Sequence, residues 1–271
     1  MSTADQSEGD INLTEQRTNW ITNDLDERTR ALLAEDARYF FHQSLSTPCL
    51  NVLTGCDGSY LEDVQGRRFF DFHGNSVHQV GFGNPAVIQA IAQQMQELSF
   101  CPRRYTNETA VALAKKLAQL APGDLNRVLF TPSGTTAVGL ALKLARIVTG
   151  RHKVVAMWDA FHGASLDAIS VSGERLFREG VGPLLPGVSH VPPPDEYRCL
   201  WECHQRGGCD LKCASYIDYV LQHEGDVAAV IAEPVRTIPY IPRPEYWQAV
   251  REICDRHQAL FIFDEIPHAL G

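Results

Sequence analysis

LFTPSGTTAVGLALKLAR, from Leu129 to Arg146, joins two different periodicities. Val128, Leu129 and Phe130 make a short apolar run that reads as a buried strand. A turn of small and hydroxylated residues follows, Thr131 to Thr136. Val138, Ala141, Leu142, Ala145 and Val148 then recur at helical spacing, with Lys143 and Arg146 toward the end. Strand, turn and helix in that order leave backbone N–H groups and hydroxyls at a helix N-terminus. The helix dipole favours negative charge there, so the turn suits a phosphate. It equally suits an ordinary N-cap by Ser133 or Thr135. The Gly-Lys-Ser/Thr ending of a Walker A loop is absent, as is GxGxxG.

Strand and helix signals alternate downstream. Lys153–Trp158 is a strand ending in Asp159-Ala160-Phe161-His162-Gly163, and 172–209 is rich in Pro and Gly and reads as a long irregular excursion. A helix over 214–223, a strand over 226–233 ending at Pro234, a helix over 244–258 and a strand over 260–263 ending in Asp264-Glu265 complete the pattern. Such alternation implies an α/β fold with a mostly parallel sheet, flanking helices and a site beyond the carboxyl ends of the strands. Ser133-Gly134-Thr135, Phe161-His162, Glu233 and Asp264 all fall at strand ends.

Upstream, 1–23 is polar and reads as a disordered tail. A helix is expected over 24–45, then a small β-meander over 47–71 with turns at Cys56-Asp57-Gly58 and Gln65-Gly66-Arg67. DFHGNSVHQVGFGNP is a loop carrying His73 and His78, and Pro85 opens a helix to about Leu98. FCPRRYTN is a second loop with paired Arg103 and Arg104, and a helix runs over 108–120. The division expected is a 1–23 tail, a 24–85 helix-and-meander segment belonging to a small domain, and a large cofactor-binding domain over 86–271.

Net charge is −9 and the 24 Lys+Arg form no dense run, which argues against nucleic acid or an anionic membrane as partner. No apolar run approaches the roughly 20 residues that span a bilayer, and the N-terminus MSTADQSEGD lacks a signal-peptide pattern, so a cytoplasmic protein is expected. Cys199, Cys203, Cys209 and Cys213 cluster around His204. Their spacing is not the CxxC pairing of structural zinc, so reduced thiols and no metal are expected.

The strand-end residues together match the needs of pyridoxal 5'-phosphate: a phosphate at the turn around Gly134, Phe161 against the ring face, and Asp264 pairing with a protonated ring nitrogen. Taken singly, each has an ordinary structural role as cap, core or turn residue.

SGTTAVGLALKLAR, DAFHG, AVIAEPV and FIFDE, in that order, resemble the class III aminotransferase family, of fold type I. DGSYLEDVQGRRFFDF and GFGNPAVIQAI match its N-terminal pattern, so the resemblance covers about Thr47 to Gly271. It implies that Ser133, Gly134 and Thr135 hold the cofactor phosphate. It further implies that Phe161 stacks on the pyridine ring, His162 lies beside it, Glu233 orients polar groups, Asp264 pairs with the ring nitrogen and Ile266 covers the other face. The family's DEVQ-x-G is here Asp264-Glu265-Ile266-Pro267-His268, so Pro267 departs from a plain transaminase pocket. The family's Schiff-base lysine lies after the position of Gly271, and none of the five lysines (Lys115, Lys116, Lys143, Lys153, Lys212) stands in its place. The chain therefore reads as a C-terminally truncated fragment, inactive alone, of a protein that is a homodimer at full length.

HGNSVHQVGFGNP, PRRYTN and MWDAFHGASLDAIS resemble the ammonia-lyase branch of the family that acts on small hydroxylated aminophosphonates. Arg103 and Arg104 then suit a phosphonate, since guanidinium binds such oxygens bidentately, and His78 is a candidate substrate contact. The alternatives are a class III transaminase moving an amino group from an ω-amine or amino acid to an α-keto acid, or a non-catalytic fragment.

Overall fold

The computed structural model describes residues 14–41, 49–72, 74, 79–235 and 241–269. It divides into two compact units, Met1–Thr106 and Asn107–Gly271. The division falls at Thr106, whereas the sequence reading places it at Pro85.

The first unit begins with two helices, α1 (Glu15–Asn23) and α2 (Glu27–Tyr39). Thr14 caps α1 by accepting from Arg17 N, and Asp26 caps α2 by accepting from Thr29 N at 2.7 Å. The expected 1–23 tail is thus helical from Glu15, and of the helix expected over 24–45 the described residues form α2, with 42–45 outside the described residues. Strands β1 (Leu53–Asp57), β2 (Tyr60–Asp63) and β3 (Arg68–Phe70) form the antiparallel meander. Gly58 (φ 57°) and Gly66 (φ 75°) supply the left-handed turns between them. Buried Asp63 ties the second turn, accepting from Arg67 Nε at 2.8 Å and from the N–H groups of Gln65 and Arg67. Helix α3 (Pro85–Leu98) has Asn84 as N-cap and Pro at its first position.

The second unit opens with α4 (Glu108–Leu120), capped by Asn107, and α5 (Gly134–Thr149), capped by Ser133 and closed by left-handed Gly150. Strands β4 (Lys153–Met157), β5 (Val188–Val191), β6 (Val227–Ala232) and β7 (Leu260–Phe263) form a parallel sheet in the order β5-β4-β6-β7. Alternate residues of β4 face opposite layers. Val155 and Met157 join α8 (Lys212–Glu224) and α9 (Pro244–His257) on one side. Val154 and Ala156 join α5 and the short α6 (Leu166–Val171) on the other. Buried on both faces, β6 is wholly apolar, VAAVIA.

Two expectations change here. Val128–Phe130 is not a buried strand: it has no partner strand among the described residues and its side chains are exposed. The excursion over 172–209 is not wholly irregular, because it contains the four-residue helix α7 (Arg175–Arg178) and β5, the edge strand held by β4. Among the described residues no helix is long and apolar enough to cross a membrane.

Candidate active site

Because β4, β6 and β7 are parallel, the segments leaving their carboxyl ends share one edge of the sheet. After β4 the chain turns through Asp159 (φ 64°) to Phe161, His162 and Gly163. The His162 N–H donates to Ser172 Oγ at 2.8 Å, and that hydroxyl donates to the Ala168 carbonyl. The ring is then aimed at β7: His162 Nδ1 and Asp264 Oδ2 are 2.8 Å apart, both side chains sealed from solvent. The carboxylate oxygen accepts, so Nδ1 carries the hydrogen. The other imidazole nitrogen, Nε2, is buried with no hydrogen-bond partner among the described residues. Asp264 Oδ1 accepts from Ile266 N–H at 3.2 Å.

Glu233, directly after β6 and buried, accepts from the Phe161 N–H at 3.1 Å and so ties the end of β6 to the turn after β4. Phe161 packs against Phe177, centroids 4.3 Å apart, and stays 37% exposed. An aromatic surface with one side packed and part of it open is a platform for a planar ligand.

Ser133 Oγ accepts from Thr136 N at 3.2 Å and lies 2.9 Å from the Thr136 hydroxyl. The N–H groups of Gly134 and Thr135 precede the helix's own ladder. The first turn of α5 carries no acidic residue, so nothing opposes the dipole there. Gly134 is closely approached: a Cβ would stand 2.8 Å from Ile266 Cδ1 and 3.0 Å from its Cγ2. A Cβ on Gly163 would strike Thr135 Oγ1, and φ +123° disfavours one in any case. The helix start thus touches both the loop after β7 and the turn after β4.

The structure brings together Ser133, Gly134, Thr135, Phe161, His162, Glu233, Asp264 and Ile266. Pairwise contacts link them: Gly134 lies against Ile266, Thr135 against Gly163, His162 meets Asp264, and Phe161 N–H donates to Glu233. His78 and His73 lie outside the described residues. Arg103 and Arg104 lie in an exposed turn of the first unit, where Tyr105 N–H donates to the Pro102 carbonyl. Lys143 lies on α5, more than two turns beyond Gly134, and Lys153 is engaged at the opposite end of β4, its Nζ 2.8 Å from Glu224 Oε2.

Three residues escape sequence reasoning. Ser172 fixes the His162 backbone, Phe177 backs Phe161, and His190 donates from Nε2 to the Ser172 carbonyl at 3.0 Å while stacking on Trp158. Burial pushes His190 below the ordinary histidine value; the Ser172 hydrogen bond opposes this and the Arg178 charge assists it. All three lie in the Pro/Gly-rich stretch, where no periodicity marks them.

A sequence model of the family described as Aminotransferase class-III matches residues 42–271. The chain is 50% identical to (R)-1-hydroxy-2-aminoethylphosphonate ammonia-lyase of Vibrio splendidus (strain 12B01), over 98% of this chain and 58% of that protein. It is 34% identical to acetylornithine aminotransferase of Methanopyrus kandleri, over 79% and 51%. A PLP-bound amine transaminase from an uncultivated Pseudomonas species superposes with a TM-score of 0.77 at 30% identity, covering 86% of this chain and 57% of that one. The chain thus spans between half and three fifths of the length of these proteins.

Proposed function

The chain belongs to the class-III aminotransferase family, and on that premise we propose that it forms the cofactor-binding part of a pyridoxal-phosphate-dependent lyase that releases ammonia from (R)-1-hydroxy-2-aminoethylphosphonate. The observation that carries this reading is the 50% identity along nearly the whole chain to a lyase of that activity. Aminotransferases matched over comparable stretches reach 38% identity.

The residues present fit the cofactor. Gly134 leaves a cradle that a Cβ would fill, and its neighbours are the N-terminal amides of α5. The loop bearing Asp264 reaches that cradle through Ile266, so one small heterocycle can meet both ends. Ser133, Gly134 and Thr135 would hold the phosphate, and Phe161 and Ile266 would flank the ring. Pyridoxal phosphate, when bound, supplies an electron-withdrawing ring that accommodates the electron pair left as the C–H bond beside nitrogen breaks. Asp264 holds a proton at the ring nitrogen, and a buried carboxylate does this more strongly than a solvated one. His162 fixes the direction of that carboxylate. Glu233 fixes the Phe161 backbone and so the height of the aromatic platform.

The substrate carries a hydroxyl on the carbon next to the one that loses its proton. Loss of water there and re-addition at the nitrogen-bearing carbon give phosphonoacetaldehyde and ammonia, with no net oxidation. Arg103 and Arg104 supply cations for the phosphonate and His78 a hydrogen bond to substrate. A cytoplasmic homodimer completes the proposal. It is supported by eight free cysteines, which suit a reducing compartment, and by the exposed Val87, Ile88, Ile91 and Met95 of α3.

The test is to supply a full-length enzyme carrying this chain with pyridoxal phosphate and the hydroxy-aminophosphonate without any α-keto acid. Ammonia and aldehyde in equal amounts support the lyase. Turnover that needs an α-keto acid acceptor assigns a transaminase instead. Arg103→Ala/Arg104→Ala should raise KM for the phosphonate about tenfold or more, the loss of one charged contact of roughly 1.5–3 kcal/mol; an unchanged KM removes both from the site.

A further inference from the structure

Four of the eight cysteines lie between β5 and α8, a region the proposed chemistry leaves unused. The backbone folds back there through four left-handed residues, Glu202 (φ 51°), Gly207 (φ 87°), Gly208 (φ 137°) and Leu211 (φ 55°). The fold-back places Cys199, Cys203, Cys209 and Cys213 around one small cavity, walled also by Trp201 and Tyr246. The space is about that of a single water or ion. The Cys203 thiol neighbours those of Cys199 and Cys209, and all four thiols are free. Cys203 and Cys213 are buried, Cys199 and Cys209 half-buried, so the cluster has an entry path.

We propose that Cys199, Cys203, Cys209 and Cys213 form a tetrathiolate site for a zinc-class divalent cation that ties the loop after β5 to the first turn of α8. Each pair is separated by three residues, within the two-to-four spacing of zinc knuckles. Four soft sulfurs and no competing carboxylate oxygen among the four ligands select a zinc-class ion over magnesium or calcium. Among the described residues no three ligand groups already meet around one point. The thiols neighbour one another around the cavity, and the ion would join them through four metal–sulfur bonds of about 2.3 Å. Four protons leave to solvent, no atom changes oxidation state, and the site carries a net charge of −2. Arg243 lines the same cavity as an ion pair with Glu196, Nη2 2.6 Å from Oε2.

The reduced, chelator-washed protein is titrated with Co²⁺ alone. One ion per chain with intense thiolate-to-cobalt charge-transfer absorption is expected. Zn²⁺ should displace it stoichiometrically, and Zn²⁺ should raise the melting temperature. Cys203→Ser and Cys209→Ser should each weaken binding at least about tenfold, whereas Cys49→Ser/Cys56→Ser, both exposed and in the first unit, should leave it unchanged. Absence of the charge-transfer band in the wild-type protein overturns the site, whether or not the variants fold. So does a band that survives in the Cys203→Ser/Cys209→Ser double variant.

Discussion

Replacing Asp264 by valine takes the carboxylate oxygen away from His162 Nδ1, 2.8 Å distant. Side-chain exposures of 0% for His162 and 3% for Asp264 leave water no way to substitute. Because Nε2 has no partner among the described residues, the imidazole loses its remaining hydrogen bond. An orphaned buried polar group costs roughly 1–3 kcal/mol, and the partly exposed turn bond from Ile266 N–H adds at most about 0.5 kcal/mol. The total of about 1–3.5 kcal/mol lowers the melting temperature by about 2–14 °C in a unit of this size. His162→Phe should cost at least as much, since it strands a carboxylate. The diagnostic variant is His162→Phe/Asp264→Val, with both partners apolar and similar in shape. It should be more stable than the sum of the single changes predicts, by at least about 1 kcal/mol. Urea unfolding followed by circular dichroism at fixed pH gives the three values. Additivity within about 0.5 kcal/mol would show that the two side chains do not act as a bonded pair, and would refute the account of the site. Asp264→Asn separates fold from function: it keeps a group facing Nδ1 and should cost less than about 1 kcal/mol, while removing the anion that the ring nitrogen requires.

Gly173→Ala should be among the most damaging single changes: its Cβ would meet the Met157 carbonyl, Trp158 Cα at 2.5 Å and Asp159 N at 2.9 Å, all backbone, so no rotamer relieves it. A cost above about 3 kcal/mol is expected in thermal unfolding, and a shift under about 2 °C contradicts it. At Gly134 the obstacles are side-chain atoms of Ile266, Cδ1 at 2.8 Å and Cγ2 at 3.0 Å, with no backbone atom among them, and the backbone is helical, so Gly134→Ala should cost less stability than Gly173→Ala. Its pyridoxal phosphate affinity in equilibrium dialysis should nevertheless fall about tenfold or more, since a 1.4 kcal/mol loss of contact suffices; undiminished affinity argues against the cradle. His190 has a folded-state pKa below its unfolded value of about 6.5, so its contribution is complete above that pH and is lost as pH falls toward the folded value. His190→Gln should flatten the fall in melting temperature between about pH 6.5 and pH 5, and an unaltered slope counts against the assignment.

What could be read from the sequence was local. Asn84, Asn107 and Ser133 each precede an apolar-periodic run, and each is a helix cap in the structure. KVVAM, VAAVIA and LFIF are long or apolar enough to announce themselves as strands. VSHV is not: its strand character comes from β4, a partner 34 residues away in register. Val128–Phe130 fails for the converse reason, an apolar run with no neighbour to pair with among the described residues. The site divides the same way. Phe161, Glu233 and Asp264 were visible as strand-end residues, but the His162–Asp264 bond joins positions 102 apart and Ser172 carries no pattern at all.

Strand β7 bounds the sheet, and its outer row of amides and carbonyls faces no further strand in it. Leu260 and Phe263 are exposed, and neither lysine nor proline interrupts the strand. Val128–Phe130 presents a second open apolar segment. Bare rims of this kind recruit other copies edge to edge, a route to fibrous precipitate. Among the described residues β7 and Val128–Phe130 are thus two apolar borders open to pairing with a further strand.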